Sequence, residues 1–252
     1  MKSTLFTTTA LALTLAGAHA SEPAPGTAAK AEGTVTGRVV FEGERPEPKP
    51  LVIGDEQSKG CHADESPMDT TDQSLLVSED GGIANAVITI EVEGMELEVP
   101  EEPVEIDQHG CRFEPHVVVV PKGGSVVFLN SDDVSHNIHT YATKNPSFNK
   151  TVSAGQKLPQ KLDAAEEIKV TCDIHPWMSS YIFVTDAQKS TVTGEDGTFQ
   201  VEGLPAGEYE VEVWHEKLGK VDGKVTVAED GTSEPLEISL GEKKDKGGRR
   251  RR

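Results

Sequence analysis

Thr171-Cys172-Asp173-Ile174-His175-Pro176-Trp177-Met178, or TCDIHPWM, decides the reading of this chain. Residues 172–178 carry a thiol, an imidazole and a thioether, three metal ligands of different softness. Taken singly, each has a plainer role: a small buried hydrophobe for Cys172, a surface imidazole for His175, core filler for Met178. Their setting argues otherwise. Ile168 to Cys172 reads as a strand, Asp173 to Pro176 as a turn, and a new strand begins at Ser179. A tight loop between two strands can aim all three side chains at one centre. Thiolate, imidazole and thioether form a soft set that suits copper, and a second imidazole is the expected fourth ligand.

Upstream, His136 in FLNSDDVSHNIHT is the candidate for that imidazole. It follows a strand, Ser125 to Leu129, and a polar turn, which places it at the same end of a sandwich. Zinc is the rival metal, but methionine is a poor zinc ligand and the chain has no CxxC pair. A Cys–His nucleophile is a further rival, but nothing in the sequence marks an oxyanion hole or a carboxylate that would orient the base. His139 lies three residues from His136, so along a strand it points to the opposite face. His116 follows Pro115 at a strand entry and reads as structural or exposed, and His215 receives no role.

Around these residues the chain reads as all-β. Short β-rich runs recur at Val117 to Val120, Ser125 to Leu129, Ile168 to Cys172 and Tyr181 to Thr185, separated by turn signals such as PKGG and NSDD. The best helical candidate, Lys161 to Lys169, is short and reads equally as a loop. Thr34 to Gly43 (TVTGRVVFEG) alternates like a strand, and ERPEPKP then blocks regular structure. Gly82 to Val92 (GIANAVITIEV) reads as another strand pair or a bent strand. Beyond Thr193 the pattern TGEDGTFQVEGLPAGEYEVEVW gives alternating strands with turns at Asp196-Gly197 and Leu204 to Gly207, so a second small sandwich is expected.

Two resemblances follow. The segment DGTF (196–199) with GLPAGEY (203–209) resembles the carboxypeptidase-regulatory or transthyretin-like β-sandwich family, whose opening strands look like those near Thr34 and Asn85. This implies a nested layout: a first part of that sandwich at 34–103, an inserted domain at 104–186 and the remainder at 190–240. Tandem order is the alternative. The stretch GGSVVFLNSDDVSHN (123–137), HNIH (136–139) and CDIHPWM (172–178) resemble the cupredoxin family, closest to its amicyanin and plastocyanin branch, over about a third of the chain. The resemblance implies a Greek-key sandwich with one type 1 copper site. His136 and His175 would be the imidazole ligands, Cys172 the thiolate and Met178 the weak axial ligand. Asn137 would tie the ligand loops together, and Trp177 would lie on the apolar rim. The implied function is outer-sphere transfer of single electrons, not enzymic turnover. A non-catalytic binding or attachment protein, with a copper-storing, copper-sensing or degenerate cupredoxin domain, is the alternative.

The cysteines at 61 and 111 remain. An even remainder in an oxidising compartment suggests a disulfide, worth about 4 kcal/mol on the chain-entropy account. Gly60-Cys61-His62 and His109-Gly110-Cys111 leave a second metal site open, and free thiols are a third option. The oxidising compartment is inferred from residues 1–20: Lys2, the short apolar run Leu5 to Leu15, and Ala18-His19-Ala20 read as a cleaved signal peptide, followed by a linker at 21–33. No stretch has the ~20 apolar residues of a membrane span. A periplasmic or secreted protein is expected. The chain carries a formal charge of -19, and without the basic tail at 241–252 and Lys2 its body is near -25. Such a body repels nucleic acid and suits a basic redox partner, such as a c-type cytochrome or a periplasmic oxidoreductase. The tail KKDKGGRRRR reads as a solvated end that can touch an anionic surface.

Overall fold

A computed structural model of the protein describes residues 32–47, 49–54, 58–61 and 68–241. The expected signal peptide, all but the end of the linker, His62 and the tail beyond Gly241 lie outside the described residues.

Sixteen strands carry the described chain, and among the described residues there is no helix. In order they are β1 (Gly33–Glu42), β2 (Val87–Ile90), β3 (Val104–His109), β4 (Arg112–Glu114), β5 (Val117–Pro121), β6 (Ser125–Asn130), β7 (His136–Thr140) and β8 (Asn149–Val152). There follow β9 (Lys157–Lys161), β10 (Glu166–Thr171), β11 (Ser179–Thr185), β12 (Lys189–Val192), β13 (Thr198–Leu204), β14 (Gly207–His215), β15 (Gly219–Val227) and β16 (Leu236–Gly241).

They form two pairs of sheets. One pair has the orders β13-β1-β16 and β12-β2-β14-β15, and the other has β5-β11-β10-β7-β8 and β4-β3-β6-β9. β1 lies between β13, antiparallel to it, and β16, parallel to it. β2 lies between β12 and β14. Two early strands thus pair with late ones, and β3 to β11 form the second pair of sheets between them in the chain. The cause is visible in the alternation. β1 turns Val35 and Val39 inward, and β14 turns Val211 and Val213, onto one core with Ile88 and Ile238. The Asp196-Gly197 turn precedes β13. Gly197 has φ +78, and a Cβ there would come within 2.5 Å of the Val39 carbonyl oxygen, so the turn requires glycine.

β2 is buried at all four positions, VITI, which alternation alone does not explain. Ile88 and Ile90 face the core of their own sandwich. Val87 faces the other way, into a small cluster with Val117, Phe183 and Trp214 that joins the two sandwiches. A strand covered on both faces reads as a continuous apolar run. His116, expected to be structural or exposed, is buried at this junction and hydrogen-bonds Glu216 through Nε2.

The inner sandwich has its own core, including Ile106, Val126, Phe128, Ile138, Ile168 and Ile182. The candidate helix at Lys161 to Lys169 does not form: β9 ends at Lys161 and β10 begins at Glu166. Glu166, Ile168 and Val170 are buried while Glu167 and Lys169 are exposed, a period of two. The buried Glu166 carboxylate accepts hydrogen bonds from the backbone N–H groups of Thr143, Lys144 and Asn145.

Candidate metal centre

Register brings the chosen residues together. β10 pairs antiparallel with β11 down to Thr171 opposite Ser179, so residues 172–178 are the loop of this hairpin. β10 also pairs with β7, Thr171 opposite His139, which sets His136 beside that loop. The loop closes on itself: the Cys172 N–H donates to the Met178 carbonyl at 3.3 Å, and the Met178 N–H to the His175 carbonyl at 2.9 Å. Asn137 ties it to β7. Its Oδ1 accepts from the Asp173 N–H at 2.7 Å, the Ile174 N–H at 3.2 Å and the Cys172 thiol at 3.3 Å.

The donor atoms converge. His136 Nδ1 and His175 Nδ1 lie 2.8 Å apart, and Cys172 Sγ lies 3.8 Å from His175 Nδ1. One donor atom each from His136, Cys172 and His175 falls within 4.8 Å of the others. His136, Cys172 and Met178 are fully buried, and His175 at 6% exposure is the one nearest solvent. Burial works against a charged thiolate, but hydrogen bonds from His136, His175 and nearby backbone outweigh it and lower Cys172 to about 6. Burial likewise works against a charged His136, yet its bonds to Asp132 and Cys172 raise its pKa. Two imidazoles and a thiol that readily ionises, in a buried pocket, form a donor set that fits copper.

Asp132 was not singled out in the sequence. It is buried, and its Oδ2 lies 2.8 Å from His136 Nε2. Its two oxygens also accept the N–H groups of Gly110, at 2.7 Å, and Cys111, at 2.9 Å. Those bonds outweigh its burial and hold its carboxyl below the usual carboxylate range. A carboxylate behind a histidine fixes which ring nitrogen bears the proton and so which one is free to bind. The signal was present, an acid four residues before a candidate ligand, but Asp132 and Asp133 are alike in sequence. Asp132 supplies a base-orienting carboxylate that the sequence does not mark. Cys172 itself is 1% exposed.

Cys61 and Cys111 form a disulfide, S–S 2.01 Å, so both sulfurs are used and neither is a thiolate ligand. His139 faces away from the pocket, hydrogen-bonding Asp173 at 3.0 Å and stacking on Tyr141. His215 is buried in the other sandwich. Trp177 is half-buried, with its ring centroid 5.1 Å from that of His175.

Two family models match parts of the chain. The family of copper binding proteins, plastocyanin/azurin family, matches residues 101–185. The carboxypeptidase regulatory-like domain matches residues 180–241. Among solved structures, a copper-containing nitrite reductase from Thermus scotoductus SA-01 is 26% identical with a TM-score of 0.32, over 38% of this chain and 25% of that one. This chain thus spans a quarter of that enzyme's length. A purple cupredoxin from Nitrosopumilus maritimus is 21% identical with a TM-score of 0.29, over 32% of this chain and 99% of that one. A Cu(I) mutant of amicyanin is 20% identical with a TM-score of 0.32, over 39% and 98%. No curated protein sequence matches. Residues 101–185 are thus similar to the plastocyanin/azurin family of copper binding proteins, and residues 180–241 to the carboxypeptidase regulatory-like domain.

Proposed function

We propose that the protein is an exported type 1 copper protein that passes single electrons between redox partners. His136, Cys172 and His175 are its ligands and Met178 the weak axial one, at a single site. The observation that carries this reading is the convergence of two Nδ1 atoms and one Sγ in a buried pocket, from the start of β7 and the β10–β11 loop beside it. Copper, when bound, supplies the one-electron Cu(II)/Cu(I) couple. The chain's own residues supply rigidity. Asn137 holds the loop carrying Cys172 and His175 from behind, and Asp132 holds the outer nitrogen of His136. A pocket held this way changes little between oxidation states, which keeps the barrier to electron transfer small.

Under this reading the chain is a carrier and not an enzyme. Its acidic body favours a basic partner, a c-type cytochrome or a periplasmic oxidoreductase, and its N-terminal segment favours export. Loading with Cu(II) should give an intense thiolate-to-copper band in the visible, lost reversibly on reduction and abolished in Cys172→Ser. Copper-loaded protein that stays colourless, with Cys172→Ser indistinguishable from it, refutes the carrier reading.

A further inference from the structure

Cys111 touches the supports of both imidazoles. Its N–H donates to Asp132 Oδ2 at 2.9 Å, and Asp132 Oδ2 also meets His136 Nε2 at 2.8 Å. Its carbonyl accepts from Trp177 Nε1 at 3.1 Å, and the Trp177 ring packs against His175. Both sulfurs of the Cys61–Cys111 bridge lie within 4.8 Å of a ring nitrogen of His175.

The backbone there needs holding. Gly110 and Cys111 are the two-residue turn between β3 and β4, with φ 60 and φ 53. Positive φ at both positions suits the twist of a tight hairpin, but it disfavours a side chain at the second. Such a conformation persists where its surroundings over-determine it. Here three ties do so: the Asp132 carboxylate, the Trp177 indole and the bridge to Cys61. The bridge spans 50 residues of sequence. Its far end is anchored independently, since the Cys61 N–H donates to the Ser58 carbonyl at 3.0 Å. Gly60 lies so close to Val134, between Asp132 and His136, that a Cβ there would meet Val134 Cγ1 at 2.3 Å.

We propose that the Cys61–Cys111 disulfide is a redox-sensitive brace for the ligand pocket. While it is closed, Cys111 holds Asp132 on His136 and Trp177 on His175. Cys61 and Cys111 are both buried, so the bridge reacts when the chain around it opens locally. A dithiol then reduces it by thiol–disulfide exchange: the S–S bond breaks, both cysteines become thiols, and the dithiol, having given up two electrons and two protons, leaves as its own disulfide. Opening frees Cys111 from its turn, and both imidazoles lose their fixed support. Asp132 and Cys111 are positioning residues in this scheme. The brace is a property of the metal-free chain, and only its effect on copper rests on the function proposed above.

The test compares the full chain with its bridge intact, the same chain reduced by a dithiol under native conditions, and Cys61→Ala/Cys111→Ala. In the metal-free protein, nitrogen-15 NMR reads the His136 tautomer and the hydrogen exchange of the Trp177 indole. Opening the bridge should average the His136 ring signals and speed indole exchange about tenfold or more, while the strands stay protected. Reoxidation of the reduced chain should restore both. In the copper-loaded protein, opening should shift the visible band and weaken copper binding about tenfold, the range seen when support behind a metal-bound histidine is lost. If the double variant does not fold, the reduced native chain decides alone. Unchanged His136 and Trp177 signals after opening, with or without a loss of overall stability, overturn the brace. A colourless copper-loaded wild type overturns the carrier function instead and leaves the metal-free signals to judge the brace.

Discussion

Asp132 Oδ2 and His175 Nδ1 each lie 2.8 Å from His136, on its opposite ring nitrogens. One imidazole is therefore fixed by a carboxylate behind it and turned, by its other nitrogen, toward the second imidazole. With the Nε2 proton directed at an ionised carboxylate, the Nδ1 lone pair faces the pocket.

Replacing that carboxylate isolates its effect. Asp132→Asn should keep the fold and lower copper affinity by roughly 10–100-fold. Competition against a chelator of known affinity measures it. An unchanged affinity would assign Asp132 to the Gly110–Cys111 turn alone.

Met178 tests the axial position. Met178→Leu keeps volume and burial, so stability should fall by less than about 1.5 kcal/mol. The visible band should persist, because the thiolate gives rise to it. The reduction potential should shift measurably, since the axial ligand tunes it. Voltammetry reads this directly, and a potential equal to wild type would make Met178 a packing residue only.

Asn137 carries the loop. Asn137→Ala removes the acceptor for the Asp173 and Ile174 N–H groups and for the Cys172 thiol. We expect a loss of about 2 kcal/mol, the scale for leaving partly buried donors without an acceptor. Hydrogen exchange at Asp173 and Ile174 should quicken before that of β10 or β11.

Acid should weaken the protein in two steps. Burial, with the charges of His116 and Lys217, lowers His215 to about 4 from 6.5. Between those values the unfolded chain binds a proton that the folded chain refuses, so stability falls as pH drops from 6.5 toward 4. Glu166 lies at about 2 instead of 4.5, since hydrogen bonds from Thr143, Lys144 and Asn145 outweigh its burial. Its contribution is present above pH 4.5 and is lost as pH falls toward 2. Each step is on the order of 1–3 kcal/mol. Denaturant midpoints across pH should show the upper step flattened in His215→Gln and the lower one in Glu166→Gln.

Much of the architecture is legible residue by residue. The alternation of TVTGRVVFEG and of EYEVEVW, the glycine at 197 and the runs VVVV and SVVFLN all read as strands and turns because side-chain period and turn chemistry are local. The stretch Lys161 to Lys169, a helical candidate that reads equally as a loop, holds the loop between β9 and β10 and the start of β10, and Glu166, polar in any hydrophobic count, is turned inward to cap the loop at 143–145. Burial of His116 was equally hidden, since its partner Glu216 lies 100 residues away.

By itself the sequence singled out the residues proposed as ligands. Cys172, His175 and Met178 sit in one hairpin loop, and Asn137 adjoins His136, so short-range geometry limits where they can point. Only the tertiary structure decided what stands behind them. The choice of Asp132 over Asp133, the Cys61–Cys111 bridge and the burial of Val87 against Phe183 and Trp214 depend on packing between segments distant in the chain. Such contacts leave no local period or spacing, because they form when separate strands close on a common core.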